Sequence, residues 1–148
     1  MTSLVVVTGP PGVDTDGVAE ALAERLGRAW VSLDAIQDEL AEEAEDTPRD
    51  WLRLDAEREV KRRLEAFGGA AVLGVHLADD DDADRLGSVL RPWSLDLVEV
   101  RCSVPGVEMP PIGAQRTVVL DGTRAPAVGE LAAVVRGETP TVRRRRPR

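Results

Sequence analysis

Apolar residues recur along the chain with two different periods, which predicts a sheet covered by helices. Short apolar runs rich in valine predict five buried strands, at 3–8, 30–33, 70–77, 95–103 and 116–120. Apolar residues three or four positions apart predict the helices, at 17–26, from 34 onward, 47–67, within 79–91 and 127–136. Strands that alternate with helices favour a mostly parallel sheet. We therefore expect an α/β fold, a three-layer α/β/α sandwich with about five strands.

The predicted elements end near residue 136, and a different composition follows. Residues 1–136 form one expected domain, and 137–148 are expected to be a basic disordered tail. Within the longest helix, an apolar stripe is predicted to be buried, formed by Val60, Leu64 and Phe67. The N-terminal apolar run 4–7 is too short for a signal peptide, so we expect no secretion signal, and the one cysteine, Cys102, has no partner for an internal disulfide. We therefore expect a cytoplasmic protein without a membrane span.

Charge is distributed unevenly along the chain. The net charge is −8, and residues 1–142 alone carry −13, because the tail holds five arginines, Arg143, Arg144, Arg145, Arg146 and Arg148. An acidic body repels nucleic acid and anionic membranes, so only the tail is suited to binding a polyanion. A tail that is merely solvated fits the same pattern.

The loop after the first strand has half of a phosphate-binding motif. Such a motif, G-x-x-x-x-G-K-[ST], wraps phosphates in backbone N–H groups, neutralises them with lysine and holds magnesium with a hydroxyl. The first half is intact, as Gly9, Pro10, Pro11, Gly12 and Val13. In the second half, Asp14 replaces glycine, Thr15 replaces lysine and Asp16 replaces the hydroxyl residue. The loop is therefore a degenerate phosphate loop.

This loop and the helix after it, Gly17 to Gly27, resemble the start of the small P-loop kinases, the group of adenylate kinase, shikimate kinase, chloramphenicol phosphotransferase and zeta toxin. The segment 31–34 resembles the second strand of the phosphotransferase-like members. In those proteins an acidic residue ends this strand and faces the acceptor hydroxyl, and Asp34 matches that position. The resemblance implies the same fold and extends over the later strands.

Departures from the family pattern argue against phosphoryl transfer. His76 stands where the resemblance places a magnesium aspartate, and segment 104–115, in place of a lid, has no arginine or lysine. Transfer depends on positioning and on cations around the phosphate. A carboxylate 4 Å from one phosphate charge costs ~4 kcal/mol at an effective dielectric near 20. We therefore expect no ATP, no magnesium and no catalytic residue, and a binding or regulatory module for an unknown protein or small molecule.

Two alternatives remain at this stage. One is a divergent ATP- and magnesium-dependent phosphotransferase, with Asp34 as base and Arg116 or Arg124 for phosphate. Asp34 also fits a helix N-cap, with Gln37 three residues on as in a capping box. The other is an interaction protein that acts through its arginine tail.

Several further residues have a functional and a structural interpretation. His76, the only histidine, is interpreted as structural because no Cys/His cluster accompanies it. The acidic run 79–82 suits a helix entry better than a cation site. Trp51 and Trp93 fit either the core or a partner surface. Finally, Asp14, Thr15 and Asp16 are predicted to cap the first helix themselves, with Asp14 or Thr15 accepting a backbone N–H two or three residues on.

Overall fold

The structure is a computed structural model that describes residues 4–137. Five strands form one parallel sheet in the order β2-β3-β1-β4-β5. Their bounds are β1 Val5–Gly9, β2 Ala29–Ser32, β3 Ala71–His76, β4 Val98–Ser103 and β5 Arg116–Asp121. The predicted α/β architecture with five parallel strands is confirmed.

Five α-helices connect and cover the strands. Their bounds are α1 Thr15–Leu26, α2 Leu33–Glu43, α3 Arg49–Ala66, α4 Asp80–Val89 and α5 Val128–Val135. A 3-10 helix, Arg91–Asp96, occupies part of the predicted fourth strand. Within residues 4–137, no helix is both long enough and apolar enough to span a bilayer. The arginines of the tail lie outside the described residues.

The core lies on both faces of the sheet because alternate residues of a strand point to opposite faces. Val6 and Leu73 pack toward α2, α3 and α4, whereas Val5, Val7 and Val72 pack toward α1 and α5. Strands β1 and β3 are buried along nearly their whole length, as expected for central strands of a parallel sheet.

Two predictions about helix residues are wrong. Ser32 is the N-cap of α2, where its hydroxyl accepts a hydrogen bond from the Ala35 N–H at 3.0 Å, and Asp34 lies inside the helix. The Ser32 hydroxyl, two residues earlier, is the cap because the helix begins at Leu33. Phe67 is 45% exposed, because α3 ends at Ala66 and the chain turns away from the stripe.

The register of the sheet brings two chain segments together. Gly9, at the end of β1, pairs with His76, at the end of β3, and the Leu77 N–H donates to the Gly9 carbonyl at 2.9 Å. The histidine therefore lies beside the first glycine of the degenerate phosphate loop. The carboxyl ends of parallel strands are where ligands of such folds bind.

Candidate functional site

The start of α1 is capped by the side chain of Asp14. Its Oδ1 accepts a hydrogen bond from the Gly17 N–H at 2.8 Å. The predicted self-capped helix is confirmed, with Asp14 as the cap. Gly17 leaves room for this contact, since a Cβ there would lie 2.2 Å from Asp14 Oδ2 and would displace the carboxylate. A carboxylate thus satisfies a donor of the kind that anions bind at helix N-termini.

Other N–H groups of the loop are used within the loop. The Val13 N–H donates to the Pro10 carbonyl at 3.2 Å, and the Thr15 N–H donates to the Val13 carbonyl at 2.9 Å. Pro10 and Pro11 have no N–H at all. The loop therefore lacks much of the inward-pointing set of donors that would wrap a phosphate.

His76 joins this loop to α2. Its Nε2 lies 2.6 Å from the Val13 carbonyl oxygen and 3.2 Å from Thr15 Oγ1, and its Nδ1 forms a short hydrogen bond with Asp34 Oδ2. A carbonyl and a carboxylate both accept, so the protonated imidazole satisfies the two contacts together. The bond to Asp34 and the bond to Val13 raise the pKa of His76 to about 8, against the opposing effect of burial.

Asp34 is held between two cations. Arg53 NH1 lies 3.6 Å from Asp34 Oδ1, and the same guanidinium donates to the His76 carbonyl at 3.0 Å. Burial raises the pKa of Asp34, but the hydrogen bond and charge of His76, followed by the charges of Arg53 and Arg49, outweigh it. The pKa of this carboxyl is therefore lowered.

Asp16 is the least satisfied side chain of the loop. Its Oδ2 accepts from the Ser32 hydroxyl at 2.8 Å, but its buried Oδ1 has no hydrogen-bond partner within residues 4–137. That oxygen lies against Gly74, where a Cβ would approach it to 2.4 Å. Burial is the main reason that the pKa of Asp16 is raised.

Two of the cavities that border the loop bear on its chemistry. The acceptor-side cavity, about 440 Å³, has a polar lining formed by Pro11, Gly12, Asp34, Gln37, Arg49, Asp50, Arg53, His76, Ala78 and Asp82. The β5-side cavity, about 450 Å³, has a mainly apolar lining between α1 and the loop after β5. Across the described residues, no group of three His, Cys, Asp or Glu side chains is placed to hold a metal ion.

The two arginines considered for phosphate lie apart from the loop centre. Arg116, at the first residue of β5, donates to the carbonyls of Val134 and Val135 at the end of α5, the opposite end of the sheet. Arg124 lines the β5-side cavity, and its Nε lies 3.5 Å from Asp121 Oδ2. The structure brings Asp34 to the loop, through His76, and leaves Arg116 remote.

A buried polar cluster on β4 was missed in the sequence. Glu99 is 1% exposed, accepts from the Thr8 hydroxyl at 2.5 Å and pairs with Arg101 at 3.1 Å. Arg101 also donates to the carbonyls of Met109 and Pro110, both at 2.8 Å, so it holds segment 104–115 against the sheet. The sequence alone did not reveal it, because Thr8 and Arg101 become neighbours only through the strand order and register of β1 and β4.

Comparison with solved structures identifies the fold. No protein-family model and no curated protein sequence matches the chain. A sugar kinase from Janibacter sp. HTCC2649 is 18% identical, with a TM-score of 0.63 over 95% of this chain and 97% of its own. APS kinase from Mycobacterium tuberculosis is 16% identical, with a TM-score of 0.59 over 93% and 96%. Shikimate kinase from Acinetobacter baumannii is 14% identical, with a TM-score of 0.57 over 95% and 96%. The chain therefore has the fold of the small P-loop kinases.

Proposed function

We propose that this protein is a non-catalytic domain of kinase fold that acts as a binding or regulatory module. One observation supports the proposal, namely that a carboxylate of the loop itself takes the Gly17 N–H at the start of α1. Thr15, at the position of the motif lysine, is completely buried, and its hydroxyl contacts His76. Asp14 takes the Gly17 N–H, and Asp16 lies where the magnesium hydroxyl would be.

The residues present do not fit ATP with magnesium. Lys61, the only lysine of the chain, lies on α3 in a groove toward α4, away from the loop. The carboxylates of Asp14 and Asp16 repel the phosphates, and each close repulsion costs ~4 kcal/mol at an effective dielectric near 20. His76 is a cation beside the loop, but its two nitrogens are already bonded to Asp34 and Val13. Its positive charge is therefore already balanced by groups of the protein and does not neutralise a phosphate.

The APS kinase and shikimate kinase named above were solved with AMPPNP and APS, and with shikimate. By analogy, the second candidate function is a divergent phosphotransferase with Asp34 as base. The acceptor-side cavity favours it, because Asp34, Arg49 and Arg53 line the same polar space. The lowered pKa of Asp34 opposes it, since a carboxylate with a depressed pKa is a weak general base.

Calorimetry with ATP and magnesium, together with an assay for ATP and GTP turnover, tests the proposal. We expect no heat of binding at millimolar nucleotide and no turnover by the pure protein. Arg58→Ala serves as the control for Asp34→Ala, because Arg58 is exposed on α3 and, within residues 4–137, forms an ion pair with Asp55 alone. Turnover that Asp34→Ala abolishes and Arg58→Ala leaves unchanged would overturn the proposal in favour of the phosphotransferase.

A further inference from the structure

The outer edge of β5 is an unpaired strand edge. β5 is the last strand of the sheet and pairs with β4 alone among residues 4–137. Proteins usually protect such an edge with a proline, a bulge or charged side chains, because its free backbone groups pair readily with another strand. Between Arg116 and Asp121, β5 has none of these, and Val119 at its centre is 63% exposed. The edge is therefore open to a further strand.

The hydrogen bonds to β4 show which backbone groups of β5 point outward. The N–H groups of Arg116 and Gly122 both donate toward β4, at 3.3 Å and 2.7 Å, so the even-numbered residues of β5 face that strand. Successive residues of a paired strand direct their backbone groups alternately to one side and the other. The backbone groups of Thr117, Val119 and Asp121 therefore point away from the sheet.

These groups favour one register for an antiparallel second copy of β5. A two-fold axis perpendicular to the sheet at Val119 pairs this residue with its own copy, and the two exchange both N–H···O=C bonds. Thr117 then lies opposite Asp121 of the second copy, so all three outward-facing residues are paired. An axis at Val118 would instead set Asp121 opposite Gln115, whose N–H is already bonded to the Leu97 carbonyl at 3.0 Å.

The side chains of β5 agree with the register centred on Val119. On the exposed face, Val119 packs against its copy, and the Thr117 hydroxyl lies opposite the half-exposed carboxylate of Asp121. On the other face, Val118 lies beside Leu120 of the second copy and extends the apolar layer that both residues form with α1 and α5. Directly opposed like charges would destabilise such a pair, and this register opposes none within β5.

The chain's own C-terminal tail is less suited to this edge than a second copy. α1 and α5 cover the same face of the sheet. Because the connection through α1 leads from β1 toward β2, a connection of the same right hand through α5 leads from β5 back toward β4 and not to the outer edge. An antiparallel return would have to begin beside Asp121, whereas α5 ends beside Arg116, at the opposite end of β5.

We propose that this protein forms a two-fold dimer through its β5 edges, so that the two sheets join into one continuous sheet. The main-chain pair of Val119 lies on the axis, and a Thr117–Asp121 pair flanks it on each side. This inference concerns assembly and goes beyond the proposed binding role. The acceptor-side cavity lies toward β3 and α2, away from this edge, and stays accessible in the dimer.

Two lysine substitutions on the same face of β5 test the interface and its register. Sedimentation equilibrium of the full chain, from micromolar to millimolar concentration, should show a monomer–dimer equilibrium. Val119→Lys puts two ammonium groups together at the axis and should weaken dimerisation at least 10-fold, which corresponds to about 1.4 kcal/mol. Thr117→Lys puts each ammonium group opposite Asp121 of the second copy and should retain the dimer. Both positions are exposed, so both variants should stay folded.

Cysteine crosslinking locates the axis. Under mild oxidation, Val119→Cys should form a disulfide with its own copy, since the Cα atoms of a hydrogen-bonded pair lie about 5.5 Å apart. Thr117→Cys is the matched control, because its copy lies roughly 13 Å away along the strand and cannot be bridged. Cys102 is buried and is present in both variants, so it does not distinguish them.

A chain that stays monomeric at millimolar concentration would overturn the proposal and leave the edge to the tail or to a different protein. A dimer that Val119→Lys leaves intact would also overturn it, because the copies would then meet elsewhere. Equal weakening by the two lysines, or equal crosslinking by the two cysteines, would contradict the register. None of these results involves ATP turnover, so failure here is distinguishable from failure of the proposed non-catalytic role.

Discussion

Among single residues, Asp14 gives the most direct link between sequence and site, and its substitution is the first prediction. Its carboxylate caps α1 in place of an external anion. Asp14→Ala should lower the free energy of unfolding by about 1 kcal/mol, the usual cost of losing a good N-cap. Asp14→Asn should lower it much less, because its amide oxygen still accepts from the Gly17 N–H. Urea unfolding of the three proteins measures the difference, and equal losses in both variants would contradict the capping role.

The second prediction is a pH dependence that comes from His76. Its pKa is raised from the ordinary 6.5 to about 8, so the folded state holds the proton more tightly than the unfolded state. The stabilisation is fully present below pH 6.5 and is lost as the pH rises through about 8. The change should be at most about 2 kcal/mol in the free energy of unfolding. Unfolding curves at intervals from pH 6 to pH 9 measure it.

A matched variant isolates this effect from other titrations. His76→Gln should flatten the profile between pH 6.5 and pH 8. Asp34 affects the free energy of unfolding in a separate, acidic pH range, because its pKa is lowered. Its contribution is present above its ordinary value of 3.8 and is lost as the pH falls below that value. A profile of His76→Gln with the same alkaline decline as the parent would show that another group titrates.

These residues also show where sequence reasoning succeeds. The cap by Asp14 is local, since donor and acceptor lie three residues apart, and it was predictable from residue types alone. The His76–Asp34 contact joins residues 42 apart and depends on strand order and register. Sequence placed both residues at the ligand end of the sheet but did not pair them, because a lone histidine has no local partner in the sequence.

Among the elements, segment 104–115 is bonded to the sheet by Arg101 and packed through the buried Ile112, and the arginine is the basis of the third prediction. Arg101 donates to the carbonyls of Met109 and Pro110 and pairs with the buried Glu99. Arg101→Ala should lower the free energy of unfolding by about 3 kcal/mol, because an uncompensated charge stays buried. Amides of this segment should also exchange faster with solvent.

Two further variants test this reason for the loss. Arg101→Lys keeps the charge but not the fork of donors, so it should give an intermediate loss. Arg101→Met combined with Glu99→Gln should recover part of the stability by removing both charges. If Arg101→Ala left hydrogen exchange in the segment unchanged, the segment would be held by its other contacts instead.

The phosphate loop and the start of α1 form a second element that can be rebuilt, as the fourth prediction. Asp14→Gly, Thr15→Lys and Asp16→Ser together restore the motif. Without ligand, the rebuilt protein should melt below the parent, since the cap is lost and a lysine enters a completely buried position. Its ATP affinity should rise, but efficient transfer should not follow, because segment 104–115 has no arginine or lysine.

Addition of His76→Asp to the rebuilt loop sharpens this test. The protonated His76 lies 3.2 Å from Thr15 Oγ1, so it would repel a lysine at that position. An aspartate instead offers the lysine a partner and matches the residue that the family resemblance implies. Calorimetry should show tighter magnesium-dependent ATP binding for the fourfold variant than for the threefold one. A rebuilt protein that melts no lower than the parent would contradict the interpretation that Asp14 stabilises α1 as its cap.

Element types were predictable from periodicity, whereas several boundaries were not. The five strands were predicted because valine-rich runs stand between turn residues, and their parallel orientation followed from the alternation with helices. The fourth strand begins at Val98, because the 3-10 helix takes the apolar residue Leu95, which is 84% exposed. Apolar character alone does not distinguish a strand from an exposed turn of helix.

The fifth prediction concerns the whole molecule and follows from the opposite charges of residues 1–142 and of the tail. Residues 1–142 carry −13 and the tail carries five arginines, so a polyanion can bind only where the tail overcomes repulsion from the body. Heparin binding by the full chain should therefore weaken steeply with salt, since released counterions drive such binding. Removal of residues 143–148 should abolish it without changing the melting temperature. Replacement of the five arginines by lysines should retain the binding, because counterion release depends on charge. A truncated chain that binds heparin as tightly as the full chain would show that the tail takes no part.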